Sequence, residues 1–277
     1  MELVNMELVN NRYLVLERLG SGAFGSIFKA QNVRTKEFVA IKVESIQEEL
    51  KLLKNESKIY HYLNGTVGIP QVKWYGKDER NYYMVINLLG ASLQDVLNKR
   101  GRFSLALTLK VGIKMLTILQ AIHDKGFVHR DIKPDNFLFG VNQCNELYLI
   151  DFGFCKARSA LAEPREVSSL IGSNNYASLM AHRRFELGRR DDMESFCYVL
   201  FSLYHGSLPW SYTSNENEIL ALKKQFVHDQ TQPLVLLDLL RTVRCMEFDE
   251  KPNYYLVIDG FKREIESLSE NCIKHNP

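Results

Sequence analysis

The first third of the chain alternates apolar and polar residues over short runs, which is the period of a half-buried β-strand. One stretch among them, residues 51–63, instead repeats its apolar positions every three to four residues, as an amphipathic helix does. These patterns predict a small antiparallel sheet accompanied by one helix. The predicted strands are residues 13–19, 26–30, 38–43, 72–75 and 82–87.

From residue 92 onward the helical period dominates, so the rest of the chain is predicted to be mostly α-helical. Its longest apolar stretch, residues 105–122, is interrupted by Lys110, Lys114 and Gln120, which favours a buried helix over a membrane span. A chain of 277 residues is long enough for two lobes with separate cores. We therefore predict an α+β, bilobal fold, with an N-lobe at 12–87, a C-lobe at 88–277 and a short linker at 86–90.

The pentapeptide M-E-L-V-N occurs twice in succession at the start of the chain. Five residues are too few for a repeat architecture. Residues 1–11 are therefore predicted to be a flexible segment without a function of its own.

Composition narrows the function classes. A net charge of +2 argues against delocalised nucleic-acid binding, and the start has no basic-then-apolar signal sequence. The five cysteines are scattered without a C-x-x-C pair, which argues against disulfide or metal use. We expect a reducing, cytoplasmic or nuclear location, no membrane or nucleic-acid partner, and a monomer.

The stretch H-R-D-I-K-P-D-N, from His129 to Asn136, carries the strongest chemical signal. It places a candidate base (Asp131), a cation (Lys133) and a metal ligand (Asn136) in one loop, and D-F-G follows at Asp151. An isolated H-R-D would be a solvated polar loop, but the full octet with this spacing matches the catalytic loop of protein kinases. Phosphoryl transfer needs such positioned charges and metal ions more than covalent chemistry.

A second motif, G-S-G-A-F-G, lies between two predicted strands. Alone it is weak, since any Gly-rich hairpin turn looks similar. A dinucleotide-binding fold would place a helix directly after the glycines, and a Walker A loop would need G-K-[ST]; neither follows here. Glycines at Gly20, Gly22 and Gly25 let backbone N–H groups approach phosphates, because no Cβ intervenes.

V-A-I-K places Lys42 on the third predicted strand. An isolated lysine there is usually an edge or snorkelling residue. Glu56, on the predicted helix, offers it a carboxylate partner.

The chain resembles the eukaryotic protein kinases, and specifically the casein kinase 1 family. The family-level motifs are E-S-K-I-Y, V-G-I-P, L-L-G-A-S-L, D-N-F-L, R-R-D-D-M-E-S and G-S-L-P-W, and N-Y-A-S replaces the Ala-Pro-Glu of most kinases. The resemblance runs from about Tyr13 to the end of the chain. It implies a Ser/Thr kinase that uses ATP and Mg²⁺ and phosphorylates acidic or primed protein substrates.

The resemblance also implies roles for individual residues. Asp131 would accept or orient the proton of the substrate hydroxyl, Lys133 would offset charge on the γ-phosphate, and Lys42 would contact the α- and β-phosphates while Glu56 holds it. Asn136 and Asp151 would hold magnesium. The implied nucleotide-binding residues are Leu19, Gly20, Ser21, Gly22, Gly25, Ile27, Ala40, Lys42, Ile86, Leu88, Leu138 and Ile150.

Supporting positions fit the same family. Tyr60, His129 and Phe152 match a spine of stacked residues, although each could equally be ordinary core. Asp192 matches a buried aspartate that anchors the catalytic loop, with a helix N-cap as the plainer interpretation. Cys155 follows the D-F-G and is expected to be a buried, inert thiol rather than a reactive one.

Two features separate the remaining alternatives. Pseudokinases usually lose the Lys, the base Asp or the metal Asp, and all three stand here, so an active enzyme is favoured over a pseudokinase scaffold that binds partners. Lys133, two residues after the base, disfavours a tyrosine kinase. The chain departs from the family at Asn175, where an Arg usually reads the priming phosphate. Arg183 and Arg184 could replace that charge, or could form a solvated face.

Overall fold

The computed structural model describes residues 7–22, 25–48, 51–141, 145–158 and 164–274. The chain divides into two compact units. The first comprises Met1–Ala91 with Leu138–Gly153, and the second comprises Ser92–Phe137 with Phe154–Pro277. The lobe boundary drawn at residue 87 from the sequence stays a prediction.

The first unit is built on a six-stranded antiparallel sheet in the order β1-β2-β3-β4-β6-β5. All five predicted strands are confirmed, each one to three residues longer than predicted, and the predicted helix is confirmed as α1 at Leu52–Tyr62. The strands are β1 Leu8–Val9, β2 Tyr13–Gly22, β3 Gly25–Asn32, β4 Phe38–Ser45, β5 Val72–Lys77 and β6 Asn81–Asn87.

Alternation along these strands separates two faces of the sheet. One face forms a core cluster in which Phe28, Ile41 and Val85 are buried beside Tyr13 and Val15. The register pairs Ile27 with Lys42 and Ala40 with Ile86, so these four residues lie on the opposite face. That second face therefore collects most of the sheet positions predicted to bind the nucleotide.

The second copy of the repeated pentapeptide contains a short strand, although residues 1–11 were predicted to be flexible. Leu8 and Val9 form β1, which pairs with Leu14 and Tyr13 of β2. Val9 is buried in the core cluster of the sheet, and this burial explains why the copy is ordered. The first copy lies outside the described residues.

A second, three-stranded sheet comprises β7 (Leu89–Ser92), β9 (Phe137–Gly140) and β10 (Leu147–Leu149), in the order β10-β9-β7. Its residues belong to the first unit except Ser92 and Phe137. The sequence did not predict these strands, because each has only three or four residues.

The second unit is mostly helical, as predicted. It also contains a two-stranded sheet of β8 (Phe127–Val128) and β11 (Lys156–Ala157), and a 3₁₀ helix at Pro134–Asn136. Its helices are α2 Leu93–Arg100, α3 Leu105–Asp124, α4 Leu179–His182, α5 Arg189–His205, α6 Glu216–Phe226, α7 Leu234–Arg244 and α8 Tyr254–Lys274.

Helix α5 is buried along nearly its whole length and packs against α3 and α7. Helix α3 confirms the helix predicted at 105–122 and packs against α5 and α8. Among the described residues it is the one helix long and apolar enough to cross a membrane, but half of its apolar window is buried within the unit. The core helix of a globular domain has the same composition, so this is weak evidence for a membrane span.

Candidate active site

In the first unit, Lys42 reaches two carboxylates. It lies on β4, and its Nζ is 2.7 Å from Oε2 of Glu56 on α1 and 2.8 Å from Oδ1 of Asp151. Glu56 is buried, whereas the side chain of Asp151 is 26% exposed. The structure thus brings together three residues that lie far apart in the sequence.

Burial and charge act in opposite directions on this group. Burial disfavours the ammonium of Lys42, but the carboxylates of Glu56 and Asp151 outweigh that effect and raise the pKa of Lys42. Burial raises the pKa of Glu56 to about 7 against the attraction of Lys42. Lys42 therefore stays charged at neutral pH, while the charge of its helical partner depends on pH.

Sequence reasoning missed Glu44, the residue that orients α1. The helix begins after Lys51, which makes no side-chain cap, and Oε2 of buried Glu44 accepts the Leu53 N–H at 2.7 Å instead. An acceptor at this end satisfies an otherwise unpaired N–H and favours the helix dipole. Because Glu44 lies two residues after Lys42 on β4, it fixes the helix that carries Glu56 to the strand that carries Lys42.

We predict that Glu56→Gln lowers kcat by about 10²-fold, because Lys42 would lose the partner that positions it. The wild-type activity should also fall as the pH drops below about 7, where Glu56 takes up a proton. This acid limb should be absent from the variant. Initial rates measured from pH 5.5 to 8.5 test both points, and an identical acid limb in the variant would contradict the assignment.

Asp151 has an unusual backbone. Its φ is +68°, a left-handed conformation that few residues other than glycine adopt. The following Phe152 is fully buried and packs edge-on against Tyr60 of α1, with ring centroids 4.9 Å apart. This contact confirms two members of the predicted stack; His129 lies in the second unit, and its membership stays a prediction. The left-handed backbone of Asp151 is a strained conformation of the kind that recurs at functional sites, where the surrounding structure maintains it.

The glycine-rich hairpin joins β2 to β3, as the strand–glycines–strand pattern predicted. Gly20, Ser21 and Gly22 pair with Ile27, Ser26 and Gly25, while residues 23 and 24 lie outside the described part. A Cβ on Gly25 would lie 2.0 Å from the Val43 carbonyl oxygen, so close packing on β4 alone requires this glycine. A Cβ on Gly20 would meet nothing within 4 Å, so the fold itself does not require a glycine there.

The side chains predicted to surround adenine all belong to the first unit. Ala40 is buried, Leu19 is half exposed, and the others are partly exposed. At the predicted linker, the side-chain oxygen of Asn87 accepts the Gln71 N–H at 2.7 Å, so this side chain is already engaged. The residues with intermediate exposure are Ile27, Ile86, Leu88, Leu138 and Ile150.

In the second unit, the loop at 129–136 gathers polar groups around Asp131, which is 5% exposed. Lys133 Nζ lies 2.6 Å from Oδ2 of Asp131, and Asn136 Nδ2 donates to the Asp131 carbonyl at 2.8 Å. The structure therefore places Asp131, Lys133 and Asn136 together, as the octet predicted.

A buried aspartate on α5 anchors this loop. Asp192 accepts the N–H groups of His129 and Arg130 at 2.7 and 2.8 Å, and its Oδ2 lies 2.8 Å from Nε2 of His123. These contacts lower the pKa of Asp192 although burial opposes its charge. The anchoring role is confirmed, but the N-cap interpretation is wrong: Gly188 is the N-cap, and the neighbouring Asp191 accepts its N–H.

Ser173 is a second partner of Asp131 that the sequence did not reveal. Its N–H and its hydroxyl each donate to Oδ1 of Asp131 at 3.0 Å. The preceding Gly172 has a φ of +91°, and a Cβ there would lie 2.6 Å from the Arg130 carbonyl oxygen. Only glycine permits this approach, which brings the segment at 172–178 against the loop at 129–136.

Each unit offers one oxygen donor of the kind that a hard divalent cation prefers, Asn136 in the second unit and Asp151 in the first. Asn136 uses its amide nitrogen within the loop, which leaves its Oδ1 for another ligand, and Asp151 offers a carboxylate with partial exposure. Among the described residues, no three His, Cys, Asp or Glu side chains cluster in a way that could hold a metal ion. Cys155 is buried, and burial raises the pKa of its thiol, as expected for an inert cysteine.

The model of the protein kinase domain matches residues 13–277, which is nearly the whole chain. The chain belongs to the protein kinase family. The antiparallel sheet of its first unit and the helical second unit are the two lobes of the kinase fold. Members of this family use ATP and a divalent metal ion and act on proteins.

Proposed function

We propose that this protein kinase is a Ser/Thr kinase of the casein kinase 1 type, which uses Mg²⁺ and transfers the γ-phosphate of ATP to acidic or primed protein substrates. The observation that carries the proposal is that two sets of charged residues, one in each unit, are complete. Lys42 is paired with Glu56 and Asp151, and Asp131 is paired with Lys133. Pseudokinases usually lack at least one of these charges.

The residues divide the reaction between them. The substrate hydroxyl oxygen attacks the γ-phosphorus, the bond to the β-phosphate oxygen breaks, and ADP leaves. Asp131 orients the hydroxyl and accepts its proton, and Lys133 offsets charge on the γ-phosphate. Lys42 contacts the α- and β-phosphates, and the glycine-rich hairpin covers them. Asp151 and Asn136 would hold magnesium, which would supply positive charge to offset that of the phosphates.

Contacts among the family-specific motifs support the casein kinase 1 type. Ser178 of N-Y-A-S donates to Asp191 of R-R-D-D-M-E-S at 2.6 Å, and the Leu179 N–H donates to Glu194 of the same motif. Trp210 of G-S-L-P-W donates its Nε1–H to the Asn175 carbonyl at 2.8 Å. Three motifs that the resemblance rests on thus form one connected group, which holds the segment that replaces Ala-Pro-Glu.

Specificity for Ser and Thr rests on Lys133. Its ammonium lies 3.2 Å from the Ser173 hydroxyl and 2.6 Å from Asp131, so the cation is held beside the base. We further propose that the enzyme is monomeric, binds neither nucleic acid nor membranes, and is located in the cytoplasm or nucleus.

A positional peptide array with radiolabelled ATP and Mg²⁺ tests this function against the pseudokinase alternative. We expect saturable transfer to Ser and Thr peptides, with acidic residues favoured upstream of the target. Binding of ATP without transfer to any peptide would support the pseudokinase alternative. Transfer to Tyr peptides alone would contradict the Ser/Thr assignment.

The expected dependence on priming is weak. Asn175 is half-buried and carries no charge where the family has Arg, and an amide cannot replace the two-pronged contact of a guanidinium with phosphate. Arg184 does not compensate: it makes a two-pronged ion pair with Glu216 at 2.6 and 2.8 Å, and this contact lowers the pKa of Glu216. Arg183 is the remaining exposed cation of this pair.

We predict that peptides with phosphoserine three residues before the target have less than about fivefold higher kcat/KM than peptides with Asp there. An exposed ion pair contributes up to about 1 kcal/mol, which corresponds to this factor. Matched peptides with phosphoserine, Asp or Ala at that position measure it. An advantage of about a hundredfold would contradict the prediction, and its loss in Arg183→Ala would assign the phosphate contact to Arg183.

A further inference from the structure

Lys223, on α6, is a buried cation that the proposed mechanism does not use. Its side chain has 0% exposure, and its Nζ donates to the carbonyl oxygens of Asn174 and Ala177, each at 2.7 Å. The third contact is Nε2 of His182, 3.0 Å away. None of these three partners is a carboxylate. Burial lowers the pKa of Lys223 to about 7.

Aromatic rings enclose the same ammonium. Nζ lies 4.9 Å from the ring centroid of Tyr198 and 5.5 Å from that of Trp210. Ring faces attract cations, and this attraction is stronger where water is excluded. A buried ammonium without an ion pair is unfavourable, and here the two carbonyl oxygens and the two rings compensate it.

The carbonyls that Lys223 binds belong to the segment at 172–178, which forms neither a strand nor an α-helix. Lys223 holds the segment at residues 174 and 177, and the Trp210 ring nitrogen holds it at Asn175 between them. At its start the same segment carries Ser173 to Asp131. Side chains from outside the segment therefore fix its backbone next to the catalytic base.

We propose that Lys223 is a positioning residue that fixes the segment at 172–178 for the phosphoacceptor chain and so sets the affinity for the protein substrate. This inference rests on the proposed function, because the acceptor hydroxyl must reach Asp131 and its chain must therefore run beside this segment. Lys223 itself is too deeply buried to touch a substrate. It acts through the carbonyls that it holds.

His182 connects Lys223 to the ion pair between Glu216 and Arg184. Its Nδ1 lies 3.3 Å from Oε1 of Glu216, the carboxylate that binds Arg184. Burial, followed by the neighbouring ammonium of Lys223, lowers the pKa of His182, which favours the neutral ring. A neutral ring with its proton on Nδ1 donates to Glu216 and accepts from the Lys223 ammonium at Nε2.

Steady-state kinetics of Lys223→Met provide the test, because Met keeps the length of the side chain and removes its donors. We expect the peptide KM to rise about tenfold while the ATP KM stays unchanged. The matched control is Lys224→Met, since Lys224 is the exposed neighbour on the same helix, and we expect no change in either KM. A peptide KM within about twofold of wild type, with or without a lower Tm, would overturn the proposal and leave Lys223 a purely structural residue.

Amide hydrogen exchange gives a readout that is independent of activity. Amides at 172–178 should exchange faster in Lys223→Met than in wild type, and at the wild-type rate in Lys224→Met. If Lys223→Met does not fold, Lys223→Gln, which keeps two donors and introduces no buried charge, is measured in the same way. Wild-type protein without any phosphate transfer would contradict the proposed function alone, and unchanged exchange in the variant would contradict the positioning role alone.

Discussion

Asp131→Asn should lower kcat for peptide phosphorylation by about 10²- to 10⁴-fold while the protein remains folded, because a general base contributes a factor of this size. Both carboxylate oxygens of Asp131 are engaged: Oδ1 accepts from Ser173, and Oδ2 accepts from Lys133. Asn has the same shape, but it cannot accept the substrate proton. Single-turnover measurements with saturating ATP isolate the chemical step.

Asp135→Asn is the matched control, because Asp135 lies in the same loop and is exposed. Its kcat should remain near the wild-type value. The ATP KM of Asp131→Asn should also change little, since Lys42 and the glycine-rich hairpin are untouched. Near-normal turnover by Asp131→Asn would remove Asp131 from its assigned role.

Local patterns in the sequence were sufficient for the five longer strands of the first sheet and for helices α1 and α3. Strands β2 to β6 have clear alternation, and the long α3 has an unbroken helical period. The strands of the second sheet were missed since three or four residues are too short to show a period. Strand β1 forms where Val9 is buried in the core cluster of the sheet. This is a tertiary contact that the repeated pentapeptide does not reveal.

The candidate site was predictable where a motif fixes several residues together. The octet and D-F-G indicated Asp131, Lys133, Asn136 and Asp151, and the structure places the first three within one loop. Glu44, by contrast, acts through a backbone N–H of α1, and nothing in its sequence neighbourhood distinguishes it from a surface residue. Long-range side-chain contacts with the backbone leave no periodic signal.

The same limit applies to charged residues with more than one possible role. The sequence left Arg183 and Arg184 open as a phosphate site or a solvated face. Glu216 engages Arg184 on both oxygens, which disfavours the phosphate site, and the partly exposed pair agrees with the solvated face. Lys223 follows the apolar Leu222 in an ordinary helical pattern, and only the fold shows that its ammonium lies under the segment at 172–178. The role of each of these charged residues depends on the groups that it contacts in the fold, and residue type alone does not show it.

Asp151→Asn should lower kcat by about 10²- to 10³-fold and shift the Mg²⁺ dependence of the rate to higher concentration, because one charged metal ligand and one partner of Lys42 are lost together. The variant should fold, since Asn tolerates the left-handed backbone at this position better than most residues. Lys42 also keeps Glu56 at 2.7 Å, so its charge remains paired.

Glu56→Gln separates the two functions assigned to Asp151. Glu56 is buried and binds Lys42, but it has no role at the metal in the proposed mechanism. Its replacement should therefore lower kcat without changing the Mg²⁺ concentration that gives half-maximal rate, whereas Asp151→Asn should change both. Rates measured across a Mg²⁺ titration at saturating ATP compare the two variants directly. If both variants show the wild-type Mg²⁺ dependence, Asp151 acts on Lys42 alone, and the metal must be bound by other residues.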